Sequence, residues 1–320
     1  MRPRVVDLFA GGGGFSEGFR EAGFDVLLGL EADWSAARTF SSNFPNAVTL
    51  PRDVREISGR DVARYVGDVD VVIGGPPCEA FTTANPNRMR EPLDRLYVDE
   101  LGQLTLNFIR LVGELRPVVF VMENVAAIME GGLESALRRE FERIGYPVFF
   151  NVLHAEDFGT PSVRRRVFIS NIRINPPRHG RMITVGEALE GLPPPDSGFP
   201  NHETVTVSSS KMRRIPGVPS GSSLYKFRGA KHLHSNFVRL SINKVAPTVM
   251  GSVRFIHPLE DRVLTVREQA RLMGFPDSHV FHGSKDEQFN QVGEAVPVPL
   301  AKAIGTEVMK ALMEEGARKP

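Results

Sequence analysis

A chain of 320 residues, 41% hydrophobic and 24% charged, can hold one large domain or two and has the balance of a soluble globular protein. A single cysteine excludes an intramolecular disulfide and a cysteine-rich zinc site and suits a reducing, cytoplasmic setting, and no stretch reaches the ~18 apolar residues a membrane span needs. The formal net charge of +1 hides an asymmetry: residues 170–251 hold eleven Lys and Arg against four Asp and Glu, a net of +7, and the rest of the chain carries −6.

The opening, MRPRVVDLFAG, enters a strand-like run at once with no export leader's apolar stretch, so no leader is expected. Residues 5–9 predict a strand that ends in glycines, and FSEGFREAGF has helical spacing with Gly23 as a C-cap. DVLLGLEAD reads as a second strand, WSAARTFSSNF as a helix, AVTLPRDV as a third strand and GRDVARYVG as a short helix. DVDVVIGGPPC is a fourth strand stopped by its prolines, and a long helical pattern covers residues 99–115. PVVFVMENV, YPVFFNVLHA and RVFISNIRI supply three more strands, with the helix LESALRREFERIG after the first. Strands alternating with helices predict an α/β fold with a doubly wound, mainly parallel sheet.

The pattern breaks near Asn175, and proline, glycine and serine are dense from there to about Pro219. Helical spacing returns in LTVREQARLMGF and in a last helix over residues 299–315, which is expected to pack back on the sheet. Residues 1–172, completed by 288–320, therefore form the sheet domain, and 173–287 a smaller, loop-rich domain. The basic segment 170–251 also holds four of the eight histidines together with Tyr225, Phe227 and Phe237. Basic residues interleaved with aromatics suit a polyanion such as nucleic acid, and they equally suit a solvated loop surface; composition leaves both open.

Four stretches could carry chemistry. DLFAGGGGFSEGF, residues 7–19, is a strand that ends in glycines and opens a helix, which lets backbone approach a ligand. It fits neither the dinucleotide spacing nor the phosphate-loop spacing, so the ligand need not carry phosphates. Glu31, twenty residues after Gly11, is placed for ribose hydroxyls, and Asp53, closing the third strand, for an adenine amino group. A nucleoside without phosphates points to S-adenosylmethionine; glycines that only make a turn are the alternative. Cys78 follows two glycines and two prolines at the end of the fourth strand, a geometry that exposes a thiol, although a lone cysteine is more often inert and buried. Glu123 ends the fifth strand on the same edge, where partial burial suits a proton donor and a structural ion pair is the alternative. In GTPSVRRRVFI, Arg164 and Arg166 share one face and Arg165 the other, to pair with Glu123 and touch a ring carbonyl, or to form a solvated basic turn.

Together these blocks resemble the DNA (cytosine-5)-methyltransferases of restriction-modification systems, over nearly the whole chain. DLFAGGGGFSEGF is similar to the family's cofactor loop, GGPPC to its nucleophile motif, ENV to its proton-donor motif and GTPSVRRRVF to its arginine motif. KVAPTV resembles the motif after the variable region, and LTVREQARLMGFPD and QVGEAVPVPLAKAIG the two closing blocks. The resemblance implies a Rossmann-like S-adenosylmethionine-dependent methyltransferase domain with a target-recognition domain between residues 171 and 244. It implies that a cytosine is rotated out of duplex DNA, that Cys78 attacks its carbon 6, that Glu123 serves ring nitrogen 3, and that carbon 5 takes the methyl group. Arg166 is then expected at the exocyclic oxygen and Arg164 in the surrounding phosphate and carboxylate network.

The resemblance also implies that Asp7, Phe9, Ala10, Gly11, Gly13, Gly14, Phe15, Glu31, Ala32, Trp34, Asp53, Val54, Gly75, Pro77, Asn124, Glu294, Ala295 and Val296 surround the cofactor, with no metal. Residues 85–95 resemble the loop that closes over DNA, so Arg88 and Arg90 are expected at the duplex, with Lys211, Arg213, Arg214, Lys226, Arg228 and Lys231 from the basic segment. A monomer in the cytoplasm, at the nucleoid, with a cognate restriction endonuclease as partner, is the implied setting. Three positions depart from the family's commonest pattern: Glu79 for glutamine after the cysteine, Ser162 for glutamine opening the arginine motif, and Glu294 for asparagine after QVG. A carboxylate at Glu79 should raise the thiol pKa unless an arginine neutralises it. A transfer RNA methyltransferase of the same chemistry and a catalytically silent DNA-binding relative are the alternatives. The large basic insertion argues against the first, and intact Cys78, Glu123, Arg164 and Arg166 against the second.

Overall fold

The computed structural model describes residues 2–316. In chain order, β1 (Arg4–Leu8) leads into α1 (Gly14–Glu21), β2 (Asp25–Leu30) into α2 (Trp34–Asn43), and β3 (Val48–Leu50) into α3 (Gly59–Val66). β4 (Val71–Gly74) is followed by α4 (Pro92–Tyr97) and α5 (Gln103–Leu115), β5 (Val119–Asn124) by α6 (Leu133–Arg143), and β6 (Phe149–His154) by β7 (Arg165–Ser170). The later chain holds α7 (Val185–Leu189), α8 (Ser209–Arg214), β8 (Ser223–Arg228), β9 (Leu233–Arg239), β10 (Phe255–Ile256), α9 (Val266–Arg271), α10 (Lys285–Glu294) and α11 (Val298–Gly316).

Seven strands form one sheet in the order β3-β2-β1-β4-β5-β7-β6. β3 to β5 run parallel, and β7 is antiparallel to both of its neighbours. Side chains two apart share a face of a strand, and here they sort into two cores. Val6, Leu8, Val72, Phe120 and Met122 face α3, α5 and α6; Val5, Val71, Ile73, Val119 and Val121 face α1, α2 and α11. The last helix thus returns to the sheet, and Gly18 of α1 lies so close to Ala301 of α11 that a Cβ there would overlap it.

Two expectations need correction. The helix expected over residues 99–115 begins only at Gln103, because the Asp99 carboxylate accepts from the Leu101 and Gly102 amides and turns the chain between α4 and α5. Gly102 in that turn packs directly on the Arg95 carbonyl, where no Cβ fits. The seventh strand stops at Ser170, because the side chain of Asn171 replaces the ladder: its Oδ1 accepts from the Phe120 amide at 3.0 Å and its Nδ2 donates to the Val118 carbonyl at 2.8 Å.

The later chain builds a second, three-stranded sheet, β10-β9-β8, with its own apolar clusters. Its return to the first sheet is tight: the Ala246 amide donates to Pro161 and the Val163 amide to Ala246, each at 2.9 Å. Among the described residues no helix is long and apolar enough to cross a membrane.

Candidate active site

Ligands of open α/β sheets lie beyond the carboxyl ends of the parallel strands, and four loops meet there: those after β1, β2, β4 and β5. β7 runs the opposite way, pairing Phe168 with Glu123 and Val167 with Asn124, so it begins where β5 ends. That reversal is why the arginine run reaches the edge that carries Cys78 and Glu123.

Cys78 is half-buried, neither exposed as expected nor sealed in. Its carbonyl accepts from the Phe81 and Thr82 amides at 2.9 and 2.8 Å, which curls the following loop back over the strand end. Asn124 fixes the proline pair from behind, donating to the Pro76 carbonyl at 3.2 Å. Gly75 leaves room for Glu123, whose Oε2 would lie 3.2 Å from a Cβ there. Burial pushes the Cys78 thiol up to about 12, with Glu79 and Glu123 adding to the rise and Arg166 and Arg164 opposing it. The free thiol is therefore protonated at neutral pH, and Glu79 acts on it in the direction its charge dictates.

Glu123 is buried and lies 2.8 Å from Arg166 Nε, with the N–H not aimed at the oxygen, so the pair is held by charge and the oxygen keeps its hydrogen-bonding capacity. Arg166 also donates to the Arg165 carbonyl at 2.8 Å. Arg164 and Arg166 point inward while Arg165 is exposed, as the alternation predicts. Arg164 differs from its expected place in a phosphate and carboxylate network. It is 2% exposed and donates to the carbonyls of Val249 and Gly293, both at 2.9 Å. Burial and Arg166 lower its hold on the proton to about 9, which leaves it charged at neutral pH. Ser162, where glutamine was expected, is buried and donates to the Leu272 carbonyl at 2.8 Å.

The glycine loop opens with Phe9 at φ +68°, its amide and that of Ala10 both donating to the Leu30 carbonyl at 3.0 Å. Glu31 then accepts from the Gly11 amide and the Asp33 amide, each at 2.8 Å, and burial raises its pKa. Nothing lies within 4 Å of a Cβ on Gly11, so space opens above it, whereas Gly13 abuts Phe44 and Gly14 the Val296 carbonyl and Ala295. Asp7 is buried under the loop, bonded to Ser16 Oγ at 2.7 Å, and its other oxygen has no partner. Burial pushes its carboxyl up to about 7. Glu294 is open to solvent at its edge, yet the surrounding protein and the Glu79 and Glu31 carboxylates push it up to about 7. Trp34, at the start of α2, leaves 72% of its surface exposed. Phe15, Val54 and Val296 are buried supports, with Ala32 exposed and Pro77 half-buried nearby. Asp53 lies three residues past β3, not at its end, and both its oxygens are engaged by Arg55, one at 2.6 Å.

On the second sheet Lys226 and Arg228 project from one face of β8 into solvent while Tyr225 and Phe227 turn inward. Lys211 lies over the Phe237 ring at 4.9 Å and Arg214 over Tyr225 at 4.8 Å; Arg213 is exposed. Arg90 is exposed, but the Arg88 side chain is 5% exposed and donates to the Phe81 carbonyl, and Lys231 is paired with Glu130. Both are engaged within the protein, the Arg88 side chain buried and that of Lys231 49% exposed.

Sequence reasoning missed His279 and Gln291. His279 is buried and its Nε2 donates to the Gly12 carbonyl at 2.7 Å, while the Gln291 Cβ would sit 3.3 Å from a Cβ on Gly12. They brace the glycine loop from more than 260 residues away in the chain, and nothing local in HVFH or FNQVG signals that contact.

The family described as C-5 cytosine-specific DNA methylase matches residues 3–206 and 198–310. M.MJ0563P of Methanocaldococcus jannaschii, a candidate type II methyltransferase, is 44% identical over 314 residues, covering 96% of this chain and 99% of that one. The type II methyltransferase M1.HphI of Haemophilus parahaemolyticus is 37% identical over 334 residues, 97% of this chain and 87% of that one. A solved structure of a candidate DNA modification methyltransferase, encoded within an Escherichia coli prophage, superposes with a TM-score of 0.79 at 28% identity, covering 97% of this chain and 99% of that one. The seven-stranded sheet and its glycine loop are thus a Rossmann-like methyltransferase fold. The chain belongs to the C-5 cytosine-specific DNA methylase family.

Proposed function

We propose that the chain methylates carbon 5 of cytosine within a specific duplex sequence, as the modification enzyme of a restriction-modification pair. One observation carries the reading: a half-buried thiol, a buried carboxylate paired with an arginine, and acidic side chains beside an open glycine loop share one sheet edge. That corner of the sheet suits S-adenosylmethionine. Its free Asp7 oxygen and the Glu31 and Glu294 carboxylates favour a cationic ligand, Gly11 leaves space, and the exposed Trp34 indole offers a face to an adenine. Asp53, already held by Arg55, is the weakest member of that set. Bound there, S-adenosylmethionine supplies the methyl group that carbon 5 takes up.

The chain's own residues do the rest. A cytosine turned out of the duplex lies over Cys78, whose sulfur adds to carbon 6 as thiolate. Glu123 hydrogen-bonds or protonates ring nitrogen 3, and Arg166 steadies Glu123 and the exocyclic oxygen. Loss of the carbon 5 proton to solvent then breaks the sulfur–carbon bond and frees Cys78 as thiolate, which regains from solvent the proton it gave up in order to add. Residues 1–172 with 288–320 act as the catalytic part and 173–287 as the recognition part. α10 straddles the join between them. The enzyme works as a monomer in the cytoplasm, at the nucleoid, beside an endonuclease that cuts the same site.

Incubation with duplexes containing 5-fluorocytosine tests this directly. A fluorine at carbon 5 blocks the final elimination, so a denaturant-stable protein–DNA adduct that requires the methyl donor is expected. Bisulfite sequencing of DNA from expressing cells should show one protected cytosine context. No adduct and no protected context would overturn the reading.

A further inference from the structure

The β8–β9 hairpin does not hang free. The Ala230 amide at its tip donates to the Thr83 carbonyl, in the loop after Cys78, at 2.7 Å. A Cβ on Gly229 would come within 2.6 Å of the same oxygen, so the two backbones touch. Lys231, next along the tip, donates to Glu130 Oε1 at 3.0 Å. Arg88 and Arg95 each bring a nitrogen to 3.6 Å from the other oxygen, Oε2. Both arginines belong to the segment that follows Cys78. Arg88 donates to the Phe81 carbonyl at 2.5 Å, and Arg95 to the Met89 and Arg90 carbonyls at 2.7 and 2.9 Å.

Three cations from two parts of the molecule therefore converge on one carboxylate. Glu130 is 35% exposed and its partner Lys231 49%, so solvent and solutes reach their pair. Arg95 Nη1 is buried with no hydrogen-bond partner, so the cluster is short of acceptor atoms as well as of negative charge. A phosphodiester carries a full charge and two unesterified oxygens, which is what this cluster lacks.

We infer that Glu130 is a clasp: it ties the hairpin of the recognition part to the loop behind Cys78 in the free protein, and a duplex phosphate takes its place on Lys231. The inference rests on the reading above, that duplex DNA is the substrate. Glu130 then competes with phosphate at every approach, so DNA of any sequence must first break the clasp. Duplexes that make further contacts offset that loss, and those that do not are held weakly.

Glu130→Gln tests this, since it keeps shape and removes the charge. Binding of a mixed-sequence duplex is measured over a salt series without methyl donor. Glu130→Gln should bind it more tightly than the unsubstituted protein, with a log–log salt slope steeper by about one for the lysine released. Lys231→Ala in that background should abolish the gain. Hydrogen exchange at the amides of residues 229–232 should quicken in both single variants, with no DNA present. Unchanged or weaker binding by folded Glu130→Gln, or unchanged hairpin exchange in both variants, would overturn the clasp. Should Glu130→Gln not fold, exchange in Lys231→Ala decides alone, because that side chain is half exposed. Failure of the unsubstituted protein to bind duplex DNA at any salt would instead overturn the underlying reading, leaving the exchange result to judge the clasp.

Discussion

The two sheets, each a wall of the molecule, hold their charged side chains by different rules. On the side of the seven-stranded sheet three charged groups of the site are held by backbone or by a neighbouring charge: Arg164 by two carbonyls, Glu123 by Arg166, Glu31 by two amides. On the side of the three-stranded sheet Arg213, Lys226 and Arg228 are exposed, Lys211 rests on an aromatic face, and Arg214, exposed over Tyr225, donates to that residue's hydroxyl and to the Leu224 carbonyl. A reacting centre gains from atoms fixed before the substrate arrives, because orientation is then not paid for at each turnover. A surface that reads a groove gains from long side chains that settle on phosphates and base edges as they meet them, at a cost in rotamer freedom.

The sharpest way to separate the walls is to remove the thiol. Cys78→Ser should drop methyl transfer to background while duplex and methyl-donor binding persist, since no group beside it is placed to ionise a hydroxyl; radiolabelled methyl transfer and a binding isotherm read both. Next comes Arg164→Ala, which strands the Val249 and Gly293 carbonyls in a buried site. It should cost about 3–5 kcal/mol in denaturant unfolding, whereas a loss below about 1 kcal/mol would mean that the sheet wall is no more rigid than the other.

A smaller effect is expected from Glu79→Gln. The thiol stands at about 12 partly because Glu79 disfavours its thiolate. Removing that charge lowers the thiol pKa, so the thiolate fraction at pH 9 rises. The chain has one cysteine, so iodoacetamide uptake measures it alone, and it should be several-fold faster at pH 9 in the variant. The mildest change is Arg213→Ala with Arg214→Ala. Stability should stay within about 0.5 kcal/mol, while the salt slope of duplex binding falls by about one for each phosphate no longer neutralised. An unchanged slope would place that stretch outside the DNA surface.

Much of this architecture could be read from local runs. Glycines after β1, the proline-stopped β4 and the apolar β5 announce themselves by period and punctuation, and so do the residues at their ends. What could not be read is who meets whom across the chain. Alternation put Arg164 on the inner face, but its partners lie 85 and 129 residues away and are backbone carbonyls, which every residue carries. His279 and Glu130 are likewise ordinary in their local context and acquire a role only through neighbours met in three dimensions. The pairing of Lys231 with Glu130 was hidden for the same reason: composition counts charges, and the fold decides which of them meet.

The packing of Gly18 against Ala301 has a consequence for a chain emerging from the ribosome. The glycine loop and α1 are made long before the helix that covers them. Until residues 298–308 clear the exit tunnel, Phe15 and Phe19 lack the apolar wall formed by Leu300, Ala301 and Ile304. A nascent chain can pair its central strands early and still leave the glycine loop and α1 uncovered, so a prematurely terminated product would be aggregation-prone.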